Sequence, residues 1–153
     1  MRTIDERVIR APIDRVFRAA SEVEQWPLIL PHYRYVRMLE RRGDGGVVEM
    51  SANRPFGPLN WPTWWTSEMA IDPAQRQVHY THVAGITRGM DVVWRLVPEG
   101  SGTHVTIVHE WVGPAWPLVG RPAADWVIGP VFIHGIAART LAGIACCVET
   151  TSP

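Results

Sequence analysis

With 153 residues the chain has the usual length of one domain, and folding should bury roughly 70% of the surface its unfolded form exposes, enough for a core and a cavity besides. Fifteen basic and fifteen acidic residues are spread along it and give a formal net charge of zero, so no electrostatic footprint for nucleic acid or anionic lipid stands out. The charged amino terminus, Met1 to Arg7, lacks the apolar core of a signal peptide and points to a cytoplasmic protein, and the least charged stretch, Trp126 to Ala138, falls short of the roughly 18 apolar residues a membrane span needs.

Ile4, Glu6 and Val8 alternate as a first strand. Ala11-Pro12 then opens a short helix whose Ile13, Val16, Phe17 and Ala20 share one face. A second short helix covers Glu24 to Leu30 and ends before Pro31, because the residue ahead of a proline avoids helical dihedrals. From there to Trp111 the pattern is that of strands, punctuated by Gly43-Asp44-Gly45-Gly46, Asp72-Pro73, Ala84-Gly85 and Pro98 to Gly102. Connections this short predict an antiparallel meander.

Between 61 and 71, alternation places Trp61, Thr63, Trp65, Ser67, Met69 and Ile71 on one face, the expected interior. Met90, Val92, Trp94 and Leu96 point inward by the same logic. So do Val105, Ile107, His109 and Trp111, with His109 the polar exception. A Pro/Gly-rich stretch, Gly113 to Pro122, carries Trp116 and reads as a gate or docking patch. It leads to a final helix of about 25 residues, with a kink expected at Pro130. Arg139 is the only strongly charged side chain between Trp126 and Val148, and a helix apolar on nearly every side wants burial on nearly every side. Cys146 and Cys147 are adjacent, too badly oriented on a helix for an ordinary disulfide, and read as two buried apolar thiols. No linker divides the chain, so residues 1–153 are expected to form a single α+β ligand-binding domain.

The order of one strand, two short helices, six strands and a long helix resembles the START-like, helix-grip superfamily of polyketide cyclases and dehydrases, quinone-binding proteins and lipid carriers. Three stretches are similar to the aromatase/cyclase branch of bacterial type II polyketide pathways. They are Glu24 to Tyr33, with its acidic-x-Trp-Pro pattern; Trp64-Trp65-Thr66-Ser67 with Asp72 following; and Gly89 to Trp94 with Gly102-Thr103 and His109-Glu110-Trp111. The resemblance implies a seven-stranded antiparallel sheet wrapped around the carboxy-terminal helix, and an apolar cavity between them. It also implies a small hydrophobic or polyketide ligand, with an acyl carrier protein as a candidate partner. The implied reaction is aldol closure of a poly-β-ketone followed by loss of water. The alternative within the superfamily is a carrier for a lipid, quinone or other hydrophobic metabolite.

That chemistry needs a base for an acidic C–H proton, a donor for the enolate, and an acid for the departing hydroxyl. His109, Tyr33 and Ser67 are the expected catalytic set, with Trp26 and Tyr33 carried over from the family motif as pocket residues. Two residues after the serine, better-studied cyclases have an inward arginine, and here that position is Met69. His82 and Arg88 are candidates to replace it, and histidine can serve as base or acid near neutrality. Trp61, Trp65, Trp94 and Trp111 read either as a stacking surface for a planar ligand or as ordinary core. Met90 and His134 complete the expected ligand contacts, His134 being otherwise a satisfied core histidine. Six histidines without paired short spacing give no recognisable metal site, and no cofactor is expected.

Overall fold

The structure, a computed structural model, describes residues 1–56, 58–114, 118 and 133–150. Strand β1 (Arg2–Ile9) is followed by helix α1 (Ile13–Ser21), a 3₁₀ turn (Val23–Gln25) and helix α2 (Trp26–Ile29). Six strands follow: β2 (Tyr33–Arg42), β3 (Gly45–Phe56), β4 (Leu59–Asp72), β5 (Gln77–Gly85), β6 (Asp91–Glu99) and β7 (Gly102–Glu110). Helix α3 (His134–Thr150) closes the described chain. The expected kink at Pro130, the Trp116 gate with Pro117, and the helix before His134 lie outside the described residues.

All seven strands join one antiparallel sheet in the order β1-β7-β6-β5-β4-β3-β2, a meander that β1 completes by pairing with β7. Each sequence turn signal ends a strand or sits between two. Gly43 takes a left-handed φ of 60° between β2 and β3, and the Asp72 carboxylate accepts a bond from Gln75 N–H at 3.0 Å after β4. α1 buries Val16, Phe17 and Ala20, and the Trp26 indole that follows donates to Ala19 O at 2.9 Å, tying α2 back to α1.

Inner faces of the sheet, the two short helices and one side of α3 share a single core, to which α3 contributes Ala137, Leu141, Ile144, Ala145 and Val148. The other side of α3 meets solvent. Cys146 is exposed and Cys147 half-buried, not the two buried thiols expected, and no disulfide joins them. Small side chains make this tolerable, because an exposed Ala or Cys presents little apolar area. Among the described residues no helix is long and apolar enough to cross a membrane.

β1 forms where it is expected. Ile4 and Val8 face outward, whereas Asp5 and Ile9 are buried, because β1 is an edge strand whose odd-numbered face meets α3. One close approach fixes α3 on α2: a Cβ added at Gly143 would lie 2.3 Å from Leu30 Cδ2, and Leu30 is fully buried. Gly143→Ala gains about 1 kcal/mol of helix propensity but must displace Leu30, at about 1–3 kcal/mol. The expected result is a lower urea midpoint, and a raised midpoint would show that Leu30 relaxes freely.

Candidate functional site

Between the inner sheet face and α3 lies a cavity of about 650 Å³ of atom-free space, its open mouth included. Five elements supply one aromatic wall. Trp26 from α2 packs against Tyr33 at the start of β2, with ring centroids 5.1 Å apart, and against Trp94 of β6 at 5.7 Å. Tyr33 meets Trp65 of β4 at 6.2 Å, and Trp65 stacks on His82 of β5 at 5.9 Å with an 11° interplanar angle. This run from Trp94 to His82 suits a planar or polyenyl ligand, since offset and edge contacts between rings are favourable.

Polar groups interrupt the wall at a few points. His109 is buried on β7, and burial holds its imidazole down to about 4, so it is neutral near pH 7. His82 is held to about 3 by burial and by the neighbouring His109, with its Nδ1 2.7 Å from Thr87 Oγ1. Burial also raises the phenols of Tyr33 and Tyr80, keeping both protonated as donors. Tyr33 bonds to Thr140 of α3, whereas the buried Tyr80 hydroxyl has no hydrogen-bond partner among the described residues. A buried donor left open in a cavity wall is available to a ligand oxygen.

Among the described residues the one cation in this wall is Arg54 on β3, 7% exposed, whose Nε donates to Thr63 Oγ1 at 3.3 Å. Burial lowers its guanidinium to about 9, still charged near neutrality. Arg54 and Tyr80 are absent from the set expected from sequence. Both were accessible through alternation, because Val48, Met50 and Ala52 precede Arg54 on the buried face of β3, and Val78 and Tyr80 precede His82 on β5.

Of the expected site residues, His109, Tyr33, Trp26, Trp65, His82, Met90 and Trp94 line this cavity together. The others do not. Ser67 and Met69 are buried without reaching the cavity, and the Ser67 hydroxyl has no hydrogen-bond partner among the described residues. A register shift in the β4–β5 pairing falls between Thr66 and Ser67, and these two neighbours are both buried. Trp61 is 62% exposed, because β3 and β4 are longer than their neighbours and carry it past the core. Trp111 is buried off the cavity wall, its indole donating to Arg88 O at 2.9 Å. Arg88 is exposed, and its turn neighbours Ile86 and Thr87 reach the cavity in its place. Gly85 enters that turn at φ 96°, where a Cβ would come within 2.6 Å of Trp64 O, so the turn's direction depends on glycine. His134 is neither a cavity contact nor a core histidine: its side chain is 62% exposed and contacts the Asp5 carboxylate.

A meander sheet closed on a carboxy-terminal helix over an aromatic cavity defines the START-like, helix-grip class. Solved structures of that fold superimpose on nearly the whole chain. An aromatase/cyclase, Zhui, from Streptomyces sp. R1128 matches with TM-score 0.81 at 20% identity, covering 97% of this chain and 93% of that one. A START superfamily protein from Mycobacterium smegmatis matches with TM-score 0.77 at 14% identity, covering 99% of each chain. Residues 9–129 match the family described as polyketide cyclase / dehydrase and lipid transport, and the chain belongs to that family. A protein provisionally named a polyketide cyclase from Streptomyces halstedii is 33% identical over 101 residues, which cover 64% of this chain and 91% of that protein.

Proposed function

We propose that this protein is an aromatase/cyclase-type enzyme that closes a poly-β-ketone chain by intramolecular aldol addition and then removes water. The observation that carries this reading is the meeting of a neutral histidine, two protonated phenols and a guanidinium in one largely apolar, aromatic-walled cavity.

Each group has a task. Neutral His109 takes a proton from a methylene flanked by two carbonyls, and the electron pair moves onto an enolate oxygen. Arg54 and the Tyr80 hydroxyl are the donors for that oxygen, with Tyr33 positioned for a second carbonyl. The enolate carbon then adds to a carbonyl carbon of the same chain, and the resulting alkoxide recovers the proton from the His109 imidazolium. Loss of a further C–H proton to His109 and departure of the protonated hydroxyl as water completes the ring. The aromatic wall selects one folded shape of a flexible chain, which supplies much of the acceleration. Presentation of the chain by an acyl carrier protein fits a cavity with an open mouth.

The second reading is a carrier for a lipid or quinone, and Met69 in place of the expected arginine favours it. Incubation of the purified protein with a synthetic linear poly-β-ketone thioester, followed by mass spectrometry of the products, separates the two. The enzyme reading expects a dehydrated ring product whose formation falls about 10²–10⁴-fold in His109→Gln, with ligand retention preserved. Product from the wild type no greater than the spontaneous background would end it in favour of the carrier, and equal product above background from both proteins would remove His109 from the mechanism.

A further inference from the structure

Behind the cavity wall, where β1, β7 and α3 meet, three titratable groups converge. Asp5, on β1, is 4% exposed. Its Oδ1 contacts Nδ1 of His134 on α3. Its Oδ2 has no hydrogen-bond partner among the described residues and lies 4.0 Å from Nδ1 of His109 on β7. Thr3, the register partner of His109, places its Oγ1 3.3 Å from that same nitrogen. The Nδ1 edge of His109 is thus turned to β1, and Nε2 is the nitrogen left to the cavity that His109 lines.

A buried carboxylate is costly. Burial raises the Asp5 carboxyl, and His134 opposes that rise. The tie to His134 occupies only one of its oxygens. At 4.0 Å the second oxygen is too far for a hydrogen bond to a neutral imidazole but within ion-pair range of an imidazolium, so its effect is largest when His109 carries a proton on both nitrogens.

We propose that Asp5 is the positioning residue for His109: its carboxylate, held by His134, favours the tautomer protonated at Nδ1 and compensates the charge that forms when Nε2 takes a proton. Asp5 itself neither gains nor loses a proton. The proton received at Nε2 returns to the substrate alkoxide, or to the departing hydroxyl. The titratable groups facing this pair are His134 from α3 and, on the far side of His109, His82 from β5. The catalytic half of this proposal rests on the reading of His109 as the acid and base, whereas the tautomer half does not.

The test is ¹⁵N NMR of histidine-labelled protein alongside cyclase kinetics. In the wild type at neutral pH, His109 must carry its proton on Nδ1, and a proton on Nε2 overturns the proposal without any variant. In Asp5→Asn the Nδ1-protonated form should lose its preference, and kcat should fall about 10²-fold with KM little changed. His134→Ala removes the same tie between β1 and α3 and lets the Asp5 carboxyl rise further, so its spectrum is read in alkaline buffer, where Asp5 stays ionised and should leave the His109 tautomer in place. A His109 spectrum unchanged in Asp5→Asn, or changed equally in His134→Ala, would show a merely structural link. Absence of turnover in the wild type would sink the cyclase reading, and the spectra would still decide whether Asp5 governs His109.

Discussion

Arg54→Met is expected to lower kcat for ring closure by about 10²–10³-fold while leaving the melting temperature unchanged or raised. The two effects have opposite signs for one reason. A guanidinium confined in an apolar wall is poorly solvated, which is why burial brings it down to about 9. That makes it expensive to the folded state and effective toward negative charge developing on a substrate oxygen. Methionine fills comparable length without charge, and the Thr63 hydroxyl keeps its own bond to Ala52 O at 3.2 Å. Arg54→Lys should fall between wild type and Arg54→Met, because an ammonium supplies charge without the planar fork. Rates measured beside thermal melts test both signs at once: unchanged turnover in Arg54→Met, or a loss of turnover matched by loss of fold, would remove Arg54 from the mechanism. The cation also lies elsewhere than the resemblance suggests. Arg54 pairs with Trp61 near the far end of the β3–β4 hairpin, whereas Met69 pairs with Gly46 at the other end. Substrate oxygens held by Arg54 would therefore sit toward the hairpin tip.

How much of this was readable from sequence depended on how each strand is buried. β6 and β7 have a buried face of regular alternation, so Met90, Val92, Trp94 and Leu96, and likewise Val105, Ile107 and His109, faced inward as period two requires. β1 is an edge strand, and its apolar Ile4 and Val8 drew attention away from the buried Asp5. Along β4 the parity was sound for Thr63, Ser67 and Met69, but parity gives direction without depth. Ser67 faces inward but is covered and does not reach the cavity, and Trp61 shares that parity at a hairpin end beyond the core. His134 reads as apolar-helix interior, yet the helix presents one side to solvent, and a buried carboxylate from the other end of the chain claims its imidazole. Arg54 was hidden by expectation itself: a charged residue closing an apolar alternation looks like the end of the buried stretch, and here it reaches the cavity.

Acid should unfold this protein between about pH 6.5 and pH 4, and the cause is the same set of histidines that makes the cavity neutral. His82 and His109 are held to about 3 and about 4, against an ordinary value of 6.5. Both are neutral in the folded chain, whereas the unfolded chain takes up their protons as pH falls below 6.5. In that window the unfolded state binds more protons, so stability decreases with falling pH, by up to about 1.4 kcal/mol per pH unit for each histidine. Their contribution is full above pH 6.5 and is progressively lost until the folded-state values are reached. Across the window the two together amount to roughly 7 kcal/mol, comparable with the whole stability of an ordinary domain. His32, held to about 4 chiefly by burial and secondarily by Arg139, acts in the same direction. Asp5 acts in the opposite one, because its raised carboxyl favours the protonated folded state as pH falls. Urea midpoints from about pH 8 down to about pH 4.5 should trace this slope. His82→Phe, which retains an aromatic ring against Trp65, should reduce it by about 1.4 kcal/mol per pH unit. The Thr87 hydroxyl loses a partner in that variant at every pH, which shifts the curve without changing its slope. An unaltered slope in His82→Phe, or a flat profile down to about pH 4, would mean that the buried imidazoles do not control acid stability. If the slope is as expected, loss of activity on the acid side should coincide with loss of the far-ultraviolet signal, since the fold fails before His109 in the folded protein is protonated.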